Sequence, residues 1–87
     1  MNLIKQQNDI ESVMSELLTK GRYRHYKGQE YEVFNTARHS ESDELLVVYR
    51  CLYGDYSWWL RPFSMFTETV SVDGKISPRF EYIGEHD

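Results

Sequence analysis

Four short strings hold the groups with which this chain could do chemistry. They are Tyr23-Arg24-His25-Tyr26-Lys27, Ala37-Arg38-His39-Ser40-Glu41, Trp59-Leu60-Arg61-Pro62 and Pro78-Arg79-Phe80. Each sets a ring beside a cationic or acid-base group. A guanidinium forks onto carboxylate or phosphate, and an aromatic face stacks a base or holds a cation. Strands bring every second side chain to one face. The expected binding surface is therefore Tyr23, Arg24, His25, Tyr26, Lys27, His39, Glu41, Trp59, Arg61 and Arg79. Its expected ligand is anionic: a small molecule such as a nucleotide, an acidic peptide or a short single strand of nucleic acid. The competing reading puts Trp59 and Phe80 in the core and pairs Arg61 or Arg79 with Glu41, Glu44 or Glu68.

Catalytic motifs are incomplete. His39-Ser40-Glu41 contains the H-x-E string of zinc deaminases, but that chemistry needs further thiolates and Cys51 stands alone. A mixed site of His25, His39 and Glu41 would satisfy zinc's liking for nitrogen and carboxylate ligands, without the compact spacing of a closed site. A small hydrolase or metal-dependent enzyme built on those three residues is the alternative to a binding module. Ser40 lacks the G-x-S-x-G elbow of an activated nucleophile. Gly28, Gly54 and Gly74 stand singly, as turn residues do, and form no phosphate cradle. The expectation is no catalytic residue, no metal and no cofactor.

The chain has 87 residues, enough for one domain with a modest core. Seven Tyr, four Phe and two Trp suit that core, because each ring buries much area. A formal net charge of -4 argues against a polyanion-binding domain. The charge is uneven: Lys20, Arg22, Arg24 and Lys27 make a basic stretch, and Glu41, Asp43 and Glu44 an acidic one. A lone cysteine forbids an internal disulfide and points to a reducing compartment. With no signal-peptide core and no membrane span in the sequence, the expectation is a cytoplasmic monomer or homodimer with no membrane association.

Residues 8–20 read as a helix, with Ile10, Val13, Met14, Leu17 and Leu18 on one stripe and Asn8 with Glu11 as a capping box. Such a stripe docks on the domain's own sheet or serves as an assembly element for a partner. From Gly21 the apolar period becomes two. Strands are expected around Tyr23–His25 and Tyr31–Val33, then a polar loop over 35–44. Leu45–Tyr53 reads as a strand covered on both faces. Trp58–Arg61 is a strand stopped by Pro62, and Thr67–Val72 is another. Asp73-Gly74 signals a hairpin, and the last strand runs from about Arg79 to Ile83. The domain is thus mainly β, about five antiparallel strands curling into a small barrel to hide their edges. Its expected bounds are 1–20 for the helical extension, 21–83 for the barrel and 84–87 for a frayed tail.

An ordered series of strings resembles the uncharacterised bacterial family called domain of unknown function 1653. It includes Gly21, Tyr23-Arg24-His25-Tyr26-Lys27-Gly28, His39-Ser40-Glu41, Val47-Val48-Tyr49, Leu52-Tyr53-Gly54, Trp59, Arg61-Pro62, Gly74 and Pro78-Arg79-Phe80. The resemblance covers about residues 21 to 83 and leaves out the helix. Ser42 stands where threonine is expected. The resemblance implies an SH3-like barrel and no particular reaction.

Overall fold

A computed structural model describes residues 18–85. In chain order its elements are β1 (Gly21–His25), β2 (Glu30–Arg38), β3 (Leu45–Cys51), β4 (Trp58–Pro62), α1 (Phe63–Phe66), β5 (Thr69–Val72), β6 (Lys75–Pro78) and β7 (Phe80–Gly84). Five strands form one antiparallel sheet in the order β4-β3-β2-β1-β7, and β5 with β6 makes a separate hairpin. The fold is mainly β, as the period of two required. Among the described residues no helix is long and apolar enough to cross a membrane.

Register carries the side chains to their faces. Tyr23 stands opposite Tyr31 and Tyr31 opposite Cys51, while Val33 stands opposite Tyr49 and Tyr49 opposite Trp59. Across β1 and β7, His25 faces Phe80 and Tyr23 faces Tyr82. These rows form one inner face, because paired residues of an antiparallel ladder point the same way. The buried cluster of Tyr23, Val33, Val47, Tyr49, Phe66 and Phe80 occupies this face. Phe66 comes from α1 and lies flat on Phe80, with centroids 4.1 Å apart, while Tyr23 and Tyr49 approach it at 5.4 and 5.5 Å. One helical turn suffices to bring it in: Pro62 enters the turn, and Thr67 closes it by donating Oγ1–H to the Phe63 carbonyl.

The structure changes several expected boundaries. The sheet is open: β4 and β7 are its two edges and do not pair with each other. The α1 turn covers the inner face between β1, β3 and β7, so burial there does not require a closed barrel. Asn35–Arg38, expected in a loop, extend β2 beyond a bulge between Val33 and Asn35. Pairing with Leu45–Val48 overrides their weak strand propensity. Asp73 and Gly74 both adopt positive φ, 52° and 79°, as a two-residue hairpin turn requires. The strand after that turn is β6, paired with β5, and β7 is a further strand paired with β1. β3 ends at Cys51, short of Tyr53. Gly84, expected in a tail, pairs with Arg22 at the end of β7.

Residues 8–17 of the expected helix lie outside the described residues, as do His86 and Asp87 of the tail. Leu18, Thr19 and Lys20 are not helical. Leu18 packs on the core cluster, and the Thr19 carbonyl accepts the Tyr23 hydroxyl. Gly21 lets the chain turn into β1. At φ 138° a side chain there would set its Cβ 2.8 Å from the Gly84 carbonyl oxygen.

Candidate functional site

Beyond Tyr49 and Phe80 the aromatic inner face opens into a cleft of about 380 Å3. Tyr31, Tyr49, Cys51, Trp59 and Arg61 line it from three adjacent strands. Tyr53, Asp55 and Ser57 close it from the β3–β4 turn. The walls are a ring network: Tyr31 meets Tyr49 edge-on at 5.5 Å and Tyr53 at 5.6 Å. The Tyr31 and Tyr53 hydroxyls are 3.0 Å apart. That hydrogen bond, with burial and the Cys51 thiol, raises the Tyr53 pKa above the ordinary phenol value. Trp59 is 54% exposed, so its ring is a wall rather than a core member. Its Nε1–H donates to Ser57 Oγ at 2.9 Å, which fixes the ring's tilt.

Arg61 stands at the core end of this cleft. Its Nε–H donates to the Tyr49 hydroxyl at 3.3 Å, and its guanidinium carbon lies 5.4 Å from the Phe80 centroid. No carboxylate among the described residues pairs with it. Arg50 likewise has no carboxylate partner among the described residues, but its Nε–H donates to the Tyr56 carbonyl at 2.9 Å and its guanidinium lies over the Tyr56 and Trp58 rings, away from this cleft. The remaining arginines are paired. Arg22 and Arg24 both reach Glu30, at 3.6 and 3.2 Å, Arg38 reaches Asp43 at 3.7 Å, and Arg79 binds Glu68. Arg79 also keeps a buried Nε without a hydrogen-bond partner.

His25 registers this cationic corner. Its ring lies between Tyr26, at 4.6 Å, and Phe80, at 4.9 Å. Its Nδ1 accepts the Lys27 backbone N–H at 3.1 Å. The neutral ring therefore carries its proton on Nε2. Burial first, then the charges of Arg79, Arg61 and Lys27, hold its pKa below the ordinary histidine value. The same ring lines a second cleft of about 280 Å3 with Arg24, Tyr26, Gly28, Ser77, Pro78 and Glu81.

The structure thus brings part of the expected surface together. His25, Lys27, Arg61 and Arg79 share one corner, Tyr26 stacks on His25, and Trp59 walls the adjoining cleft. Tyr23 is elsewhere: it is 5% exposed, part of the core, and burial with the neighbouring Tyr82 pushes its pKa up to about 12. Arg24 pairs with Glu30 and meets His25 and Tyr26 only in the second cleft, away from Trp59 and Arg61. His39 and Glu41 lie at the opposite end of the sheet, in the β2–β3 loop. Tyr31 to Arg38 alone spans about 20 Å at the usual rise of a strand. There His39 Nδ1 accepts the N–H groups of Glu41 and Ser42 and shapes the turn. His25, His39 and Glu41 therefore do not converge, which corrects the expectation of a mixed site built on them. Of the competing pairings, Phe80 is in the core and Arg79 holds Glu68, while Trp59 and Arg61 do neither.

Sequence reasoning missed Tyr31, Tyr49, Cys51, Tyr53, Asp55 and Ser57 as cleft residues. Alternation along β3 was a usable signal for Tyr49 and Cys51. Their placement beside Trp59 and Arg61 needed the register.

Residues 21–82 match the family described as Protein of unknown function (DUF1653). The chain is similar to the crystal structure of a protein belonging to DUF1653 from Bordetella bronchiseptica. Identity is 36%, the TM-score is 0.77, and the match covers 84% of this chain and 96% of that one. No curated protein matches the chain. The chain belongs to the DUF1653 family.

Proposed function

We propose that this DUF1653 member is a small binding module that takes an anionic ligand on Arg61, in the aromatic cleft. The observation that carries this reading is the guanidinium itself. It is held by the Tyr49 hydroxyl and the Phe80 ring, and its Nη groups keep no carboxylate among the described residues. A guanidinium so fixed has lost its side-chain entropy in advance, so an incoming carboxylate or phosphate gains more from it. Arg79, Lys27 and the neutral His25 add positive potential and a donor nearby. We read the open sheet and its hairpin as a variant of the SH3-like frame, with the cleft on its inner face.

The cleft of about 380 Å3 suits a nucleotide or one side chain of an acidic peptide. The net charge of -4 opposes a long polyanion, which places a short single strand behind these two. Binding is expected at about micromolar to millimolar strength, weakening as salt rises. NMR shift mapping with a mononucleotide, an acidic peptide and a short oligonucleotide tests this. Shifts should gather at His25, Tyr31, Tyr49, Trp59 and Arg61, and Arg61→Ala should remove them. The bound anion should also raise the His25 pKa by offsetting Arg61 and Arg79. Shifts scattered over the surface, or none at millimolar probe in low salt, refute the reading.

A further inference from the structure

The anion site is one end of the cleft, and its other end carries the opposite charge. Asp55 lines the same cleft as Arg61, yet the two form no ion pair. Each is held by its own neighbours. Asp55 Oδ1 accepts the Ser57 backbone N–H at 3.1 Å, and Ser57 Oγ accepts the Trp59 indole N–H at 2.9 Å. Ser57 therefore anchors a carboxylate and a half-exposed indole side by side. Arg61 is anchored separately, on Tyr49 and Phe80. Tyr31 and Tyr53 stand in the same cleft, locked to each other through their hydroxyls.

From this arrangement we propose that the cleft selects a small zwitterion, with its anionic group on Arg61 and an alkylated ammonium against Trp59 and Asp55. The inference rests on the anion-binding reading and narrows it. An anion alone would meet the unfavourable charge of Asp55. A cation alone would meet Arg61. A ligand bearing both satisfies both ends, and its ammonium meets an indole face, the aromatic surface that attracts cations best. A bare ammonium is strongly hydrated, so methylated nitrogen fits a cleft with four aromatic walls better than a primary amine. Asp55 is exposed, which leaves room for the ammonium to arrive without deep burial of either charge.

Titration calorimetry with charge-matched probes tests the proposal. The zwitterions are glycine betaine and phosphocholine. Acetate and inorganic phosphate supply the anion alone, and tetramethylammonium the cation alone. Each zwitterion should bind about tenfold more tightly than its matched anion, the gain of one cation–π contact beside a carboxylate. Asp55→Asn should shrink that gain to what the Trp59 face alone supplies, while leaving acetate and phosphate binding unchanged or slightly stronger. Asparagine keeps an oxygen for the Ser57 N–H, so the turn survives. Arg61→Ala should weaken the zwitterions and the simple anions alike. Equal affinity for zwitterion and anion, with Asp55→Asn silent, overturns the zwitterion proposal and leaves the anion site standing. Loss of all binding, anions included, overturns both.

Discussion

Truncating Phe66 to alanine removes the ring that α1 contributes to the inner face. Phe66 is 1% exposed and is stacked at 4.1 Å on Phe80, with an interplanar angle of 4°. A ring of this size buries about 150–250 Å2. At about 25 cal/mol per Å2 that burial contributes about 4–6 kcal/mol, part of which alanine retains. Lost contacts with Tyr23, Tyr49 and Phe80 add to the cost, and measured Phe→Ala changes in cores run at about 3–5 kcal/mol. The upper half of that range is expected here, because three rings lose a partner at once. Small domains have about 0.05–0.15 kcal/mol of stability per residue, or roughly 4–13 kcal/mol for this chain. Phe66→Ala therefore takes a large share and can leave the domain unfolded. Phe66→Leu keeps apolar volume and gives up mainly the stacking, so it should cost about 1–2 kcal/mol and remain measurable. Urea unfolding followed by tryptophan fluorescence yields both values. A cost below about 1 kcal/mol for the alanine variant would refute the placement of α1 as the cover of the core. The cleft shares Tyr49 with that core, so the leucine variant should also weaken anion binding if the core positions Arg61.

Two further outcomes follow from backbone and charge. Gly21→Ala sets a Cβ 2.8 Å from a backbone oxygen at φ 138° and should cost about 1–3 kcal/mol or more, whereas Gly74→Ala, with open space around it, should cost about 1 kcal/mol; equal losses in denaturant melts would refute the close approach of β1 and β7. His25 has a folded pKa below its unfolded value of about 6.5, so the unfolded state binds the extra proton. Its contribution to stability is complete above about pH 6.5 and is lost as pH falls from there through the folded pKa. The drop in urea midpoint from pH 7.5 to 5.5 should therefore be larger for the native chain than for His25→Gln, and identical drops would overturn the cationic corner.

Sequence by itself determined the parts of this protein that local chemistry controls. Asp73-Gly74 makes a hairpin because two consecutive residues must take positive φ, and that demand is written in two letters. Pro62 ends β4 because it has no N–H to donate. The run from Leu45 to Cys51 is a strand, as its apolar β-branched residues required, but the expected cover on both faces is incomplete: Val47, Tyr49 and Cys51 are buried on the inner face, while Val48 and Arg50 between them are only half-buried. The family was legible as well, since its strings keep their order along the chain.

Only the tertiary structure decided what depends on partners far away in sequence. Asn35–Arg38 look like loop and pair as strand, because Leu45–Val48 offer them a ladder. Lys75–Pro78 carry no buried alternation, with Ile76 76% exposed, and become β6 through pairing with β5 alone. The same holds for charge. Nothing local distinguishes Arg61 from Arg79, yet the hairpin returns Arg79 to Glu68 and leaves Arg61 beside Tyr49 and Phe80. The alternative site groups His25 and His39 with Glu41, whereas a nine-residue strand carries the two histidines to opposite ends. A side chain's type and face are local properties of the chain. Its neighbours across the sheet are set by register, and register is a compromise reached by all the strands together.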